Sequence, residues 1–119
     1  MAGARMRRVN EAVREVLSSH LAEGLKDPRI GFVTVTGVDT TPDLRSARVY
    51  VSVLGDEGER NAALEGLRSS RGFLQARIAE ELRLKRTPTL AFEYDETVAR
   101  ADRMTRLIDE MAPPEEGER

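Results

Sequence analysis

Apolar residues recur every three or four positions over residues 5–25: Met6, Val9, Val13, Val16, Leu17, Leu21 and Leu25, with His20 beside them. That spacing predicts an amphipathic helix whose last turn is weakened by Gly24. The run Asp27-Pro28-Arg29-Ile30-Gly31 ends it, because Pro28 cannot continue a helix and disfavours helical backbone at Asp27. Phe32–Val38 is rich in β-branched residues with a period of two, and predicts a strand. Residues 45–54 alternate more cleanly, with Ala47, Val49, Val51 and Val53 on one face and Arg48, Tyr50 and Ser52 on the other. Asp39-Thr40-Thr41-Pro42-Asp43 has turn chemistry, so these strands are expected to form an antiparallel hairpin. Asp56-Glu57-Gly58-Glu59 reads as a short acidic loop.

A second helical region is expected over 59–84, on the stripe Leu64, Leu67, Leu74, Ile78 and Leu82. Ser69-Ser70-Arg71-Gly72-Phe73 interrupts it. Gly costs about 1 kcal/mol against Ala inside a helix, and serines compete for backbone bonds. A break near Gly72 and two shorter helices are therefore predicted. After Thr87-Pro88, the alternation Leu90-Ala91-Phe92-Glu93-Tyr94 predicts a third strand. Asp95 or Thr97 then caps a last helix carrying Val98, Ala101, Met104, Ile108 and Met111. The order of elements implies an α+β fold with helices on one face of a three-stranded sheet. The 119 residues are expected to form one domain over 1–112, followed by a polar, disordered tail over 113–119.

Composition narrows the chemistry. With no cysteine, the chain has no disulfide framework, zinc ribbon, iron–sulfur ligand set or thiol nucleophile. One histidine leaves no room for a His-rich metal site or a catalytic His pair. Neither a run of about 18 apolar residues nor the apolar core of a signal peptide is visible, so the cytoplasm is the expected compartment and no membrane the expected partner. Only three Phe and two Tyr are present, so Leu, Val, Ile and Ala must build the core.

The net charge of −2 argues, at face value, against nucleic acid. Its distribution argues otherwise: +3 over 1–14, −4 over 15–59, +4 over 60–86 and −5 over 87–119. Seventeen of the 19 basic residues are Arg, whose planar fork pairs with phosphate. A coding preference for Arg over Lys is the plainer reading of that ratio, so the positions carry more information than the number.

Gly55-Asp56-Glu57-Gly58 has the Gly-x-x-Gly spacing by which K-homology domains approach an RNA backbone, but both inner residues are acidic. It reads as an ordinary strand-to-helix turn. Ser70-Arg71-Gly72 is different, because a kink there brings arginines to helix ends, where anions are favoured. Residue types alone leave two readings open: a phosphate-contacting kink, or a packing kink with solvated arginines. Asp27–Val35 reads as a turn that launches a strand, with a buried charge clamp or a partner-contact loop as the alternatives. His20 reads as a partly buried structural residue, and Asp95-Glu96 as a helix cap. No Walker loop, dinucleotide fingerprint or assembled active site is visible.

Five ordered blocks, Asp27–Thr36, Asp43-Leu44, Ala47–Val53, Gly72-Phe73-Leu74 and Arg86–Asp95, make the chain over about 5–111 resemble the bacterial ribosome-binding factor A family. The resemblance implies a type II K-homology-like fold, in the order α-β-β-α-kink-α-β plus a C-terminal helix. In that family an Ala-x-Gly kink replaces the Gly-x-x-Gly loop, and here Ser70 stands for the Ala. Gln75 stands where the family often has a basic residue, with Arg77 two positions on. The resemblance further implies a factor with no enzymatic activity, cofactor or metal. It would bind the free 30S subunit near the decoding region and the 5′-terminal helix of 16S rRNA. It would assist processing of the precursor 5′ end and support growth in the cold. The implied partners are the 16S rRNA and neighbouring ribosomal proteins, engaged by a monomer. Candidate RNA contacts are Arg5, Arg7 and Arg8 in the N-terminal segment, and Arg68, Arg71, Arg77, Arg83, Lys85 and Arg86 in the +4 segment. A protein–protein adaptor and an acylphosphatase-like hydrolase are the alternatives.

Overall fold

A computed structural model describes residues 3–97. The elements are α1 (Gly3–Glu23), β1 (Val33–Thr40), β2 (Ser46–Val53), α2 (Glu57–Ser69), α3 (Arg71–Leu82) and β3 (Thr89–Tyr94). The expected final helix and tail lie outside the described residues.

The sheet order is β1-β2-β3. β1 and β2 form the expected antiparallel hairpin, with a bulge between Val35 and Gly37. β3 lies parallel to β2, so α2 and α3 together make the crossover between neighbouring strands. All three helices cover one face of the sheet. The alternation read from β2 places Ala47, Val49 and Val51 in the core, against Val13 and Leu17 of α1, Leu67 of α2, Leu74 and Ile78 of α3, and Leu90 and Phe92 of β3. Arg48 and Glu93 face the other side and form an ion pair across β2 and β3 at 3.2 Å. α1 stops at Glu23 because Gly24 takes a positive φ of 93°, a backbone region open to glycine, and its N–H reaches the Leu21 carbonyl at 3.1 Å.

Two local readings are corrected. The acidic run 56–59 is the start of α2 and not a loop. Asp56 accepts a hydrogen bond from the Glu59 N–H at 2.8 Å, while Glu59 accepts one from the Asp56 N–H at 2.9 Å. This reciprocal cap satisfies two otherwise orphaned donors, and Glu57 and Glu59 add negative charge at the positive end of the helix. The first strand starts at Val33, leaving Phe32 82% exposed. The helix break expected near Gly72, at Ser70-Arg71-Gly72, is present and falls at Ser70. Ser70 has φ −90° and ψ 4°, and its N–H is shared between the Gly66 and Leu67 carbonyls at 3.0 Å each.

Gly72 lies in the first turn of α3, with open space where a Cβ would stand. Nothing in the kink therefore requires glycine there. Gly72→Ala is expected to keep the break and to stabilise the protein by about 0.5–1 kcal/mol, the usual gain on removing glycine from a helix. A urea titration checks it.

The Asp27–Ile30 turn does more than launch a strand. Asp27 accepts from the Arg29 N–H and Nε at 2.9 Å each and from Nη2 at 2.6 Å. The same guanidinium donates to Ser69 Oγ at 3.1 Å and lies 3.6 Å from Glu65 on α2. A charge clamp thus ties the turn to α2, at the surface and not buried as the alternative reading had it. Gly66 makes the approach possible, since a Cβ there would stand 2.7 Å from Ile30 Cγ1.

These hydrogen bonds from Arg29 hold the Asp27 carboxyl at about 2, below its ordinary value of 3.8. A depressed folded-state pKa gives stability that is present above the unfolded value and lost as pH falls through the folded one. Thermal stability is therefore expected to drop as pH falls from about 4 to about 2, and Asp27→Asn should flatten that part of the profile. Melting curves across this window test the pairing.

Both edges of the sheet are capped by helix side chains. Asn10 of α1 accepts from the Thr40 N–H at 2.9 Å on β1. On β3, Gln75 accepts from the Leu90 N–H at 2.9 Å and Arg68 donates to the Phe92 carbonyl at 3.2 Å. Edge groups left open would recruit another strand.

Candidate nucleic-acid interface

Two backbone reversals build the main surface groove. α3 ends where Arg83 turns left-handed, with φ 51° and its N–H on the Ala79 carbonyl at 3.3 Å. The chain then runs through Leu84, Lys85 and Arg86 to buried Pro88, and the Thr89 N–H bonds the Arg45 carbonyl at 3.0 Å. That bond sets the 83–86 loop beside the hairpin turn. In the turn, the Leu44 N–H bonds the Thr41 carbonyl at 2.8 Å, and Asp43 accepts from Thr41 Oγ1 at 2.7 Å and from the Arg45 N–H at 3.0 Å. Leu44 is also left-handed, at φ 62°. The first turns of α1 supply the third wall.

The resulting groove has a volume of about 980 Å³. Arg5, Arg83, Lys85 and Arg86 line it, all exposed. None of their side chains has a hydrogen bond or ion pair among the described residues. Met6, Val9, Leu44 and Leu84 add half-buried apolar surface, and Pro42 and Asp43 complete the lining. Asp43 is the one carboxylate in the lining. Its pKa is held below the ordinary value, by the Thr41 hydroxyl first and then by the Arg45 N–H, and its charge is offset by Arg45 Nε at 3.4 Å.

The groove thus joins four of the nine candidate RNA contacts, from segments far apart in the chain. The other five go elsewhere. Arg7 and Arg8 are exposed on α1 outside the groove lining. Arg68 is committed to the edge of β3. Arg77 is paired to Glu80 at 2.6 Å and lies over the Phe73 ring at 5.4 Å. Arg71 is half-buried, with its Nε out of solvent and without a hydrogen-bond partner. Gln75 turns to β3, so a basic residue at that position would have to leave the Leu90 N–H uncapped or find it another partner.

The kink borders a smaller cleft of about 520 Å³, between Gly24–Asp27 and Ser69, Ser70 and Phe73. His20 is structural, as its position on α1 suggested. Its Nε2 lies 2.8 Å from Glu81 on α3, and its ring meets Phe73 edge-on at 5.9 Å. Asp95 accepts from the Thr97 N–H at 2.9 Å, the bond of a helix cap. Among the described residues no group of acidic or His side chains could hold a metal ion, and no helix is long and apolar enough to cross a membrane. Sequence reasoning missed Leu44 and Met6, since leucine carries no signal for a left-handed turn and Met6 reads simply as part of a helix stripe.

A sequence profile described as ribosome-binding factor A matches residues 5–108. The chain is 56% identical over 104 residues to the ribosome-binding factor A of Anaeromyxobacter sp. strain K, covering 87% of this chain and 75% of that one. It is 44% identical over 110 residues to the one from Geobacter metallireducens, covering 92% and 93%. The crystal structure of ribosome-binding factor A from Thermus thermophilus superposes with a TM-score of 0.67 at 27% identity, over 75% of this chain and 94% of that one. A homology model of the Thermus thermophilus protein, fitted into the cryo-EM map of a 30S complex with ribosome-binding factor A, gives 0.56 at 30% identity, over 69% and 86%. These relatives bear out the K-homology-like fold expected from the sequence.

Proposed function

Since this chain belongs to the ribosome-binding factor A family, we propose that it binds the free small ribosomal subunit through 16S rRNA and neighbouring ribosomal proteins, and assists late maturation and processing of the precursor 5′ end. The observation that carries the RNA contact is the groove, where four cations without side-chain partners among the described residues converge. A protein that buried them against its own carboxylates would have little left for phosphate. Arg5, Arg83, Lys85 and Arg86 are its inner contacts, and Arg7 and Arg8 extend the basic surface along α1.

The mechanism is binding without chemistry, by a monomer in the cytoplasm. A factor with higher affinity for an immature rRNA conformation holds that state and leaves when the mature one wins. It shifts the equilibrium only by its difference in affinity. The acidic remainder of the surface limits binding to arbitrary RNA. A hydrolase reading finds no support: the Gly55–Gly58 segment, with its phosphate-loop spacing, opens α2, and Asp56 and Glu59 spend their carboxylates on capping that helix.

Cosedimentation through a sucrose gradient tests the proposal. The tagged protein is expected with free small subunits and not with translating ribosomes, and its deletion is expected to accumulate 16S precursor. Absence from the subunit fraction would overturn it.

A further inference from the structure

Met6 and Leu44 set the groove apart from a plain phosphate track. Both are half-buried, and neither belongs to the hydrophobic core or packs against it. Their apolar surface lines the groove together with the exposed cations. Leu44 and Arg83 are also the only non-glycine residues with positive φ among the described residues, and both line this groove. Left-handed backbone is unfavourable for leucine and arginine, and such strain persists where the surroundings impose a particular shape. A surface that only gathered phosphates would need neither the apolar lining nor the shape.

We propose that the groove accepts an unpaired RNA nucleotide, its base against Met6 and Leu44 and its flanking phosphates against Arg5, Arg83, Lys85 and Arg86. This rests on the reading above that the protein binds RNA, and names the form of RNA it takes. The volume of about 980 Å³ lies in the range of pockets that hold small organic ligands, roughly 300–1,000 Å³. A base is flat and apolar on its faces, and a methionine thioether makes favourable contacts with aromatic rings. A paired helix keeps its bases stacked inside and offers only backbone, 2′-hydroxyls and groove edges, so it could meet the cations but not fill the apolar part. Asp43 does not oppose the phosphates, because Thr41 and Arg45 engage its carboxylate.

Fluorescence anisotropy with the full chain tests this on three probes: a short unpaired RNA, the same RNA annealed to its complement, and the unpaired RNA with abasic sites. The unpaired RNA is expected to bind about tenfold more tightly than either of the others, the order of one base stack. Met6→Ser is expected to erase most of that preference and leave the salt dependence unchanged, while Met6→Leu retains it. Arg86→Ala should weaken all three probes and lower the salt slope by about 0.7. Equal binding of the three probes, or a Met6→Ser protein that is folded by circular dichroism and keeps the preference, would overturn the inference. Cosedimentation with the subunit would stand in either case, so the two proposals fail separately.

Discussion

Phe92→Ala is expected to cost about 3–5 kcal/mol, the largest stability loss available from a single side chain here. Phe92 is 2% exposed at the centre of β3, where it faces the core between α2 and α3. The other two phenylalanines do not share its work, since Phe32 is 82% and Phe73 50% exposed. Around Phe92 the core is made of Val, Leu, Ile and Ala, whose short side chains cannot close the cavity left behind. Domains have only about 5–15 kcal/mol of total stability, so the variant should be largely or marginally unfolded at growth temperature. Phe32→Ala, which removes an exposed ring, is the control and should change stability by less than about 0.5 kcal/mol. Urea titrations of both would expose a core that repacks, if Phe92→Ala lost less than 1 kcal/mol.

The largest loss of binding is expected from replacing Arg5, Lys85 and Arg86 together with alanine. Each cation that neutralises a phosphate releases a counterion and adds about 0.7–0.9 to the salt slope, so losing three should lower the slope by about 2. Affinity for the small subunit should fall by roughly 10–100-fold at physiological salt. Folding should be unaffected, because all three side chains are exposed and make no ion pair among the described residues. The contrasting variant replaces Arg68 and Arg77, whose guanidinium groups are committed to the Phe92 carbonyl and to Glu80. It should lose some stability at the β3 edge and little salt slope. If the Arg68/Arg77 variant changed the slope more than the triple variant, the RNA would lie on the kinked helices and the groove assignment would be wrong.

Local periodicity was enough to read most elements. The alternation of Ala47, Val49 and Val51 and the helical stripe through Val13, Val16 and Leu17 point to the same core that forms. The parallel pairing of β3 with β2 was not legible, because it is a contact between segments separated by both crossover helices. Asp56-x-x-Glu59 resembles a loop by composition and becomes a reciprocal cap only when a helix follows it. The charge sums marked residues 60–86 as basic but did not show which cations were already taken. Arg68 and Arg77 project from helices onto a strand edge and a neighbouring Glu, whereas Arg83, Lys85 and Arg86 follow the helix end, where no described residue pairs with their side chains. Sequence gives the supply of charge, and the fold decides how much of it stays available.

The parallel pairing also bears on the order of folding. The β1–β2 hairpin closes through a short turn, but β3 can join β2 only after the crossover from Leu54 to Pro88 has collapsed onto the sheet. Closing the longer loop costs more chain entropy, so β3 docking is expected among the last events. The loop carrying Arg83, Lys85 and Arg86 is anchored by that docking, through the bond from the Thr89 N–H to the Arg45 carbonyl. A nascent or partly opened chain would therefore carry the cations without the groove. Selective RNA recognition would switch on only when the last strand is in place, making completion of the fold itself a checkpoint on binding.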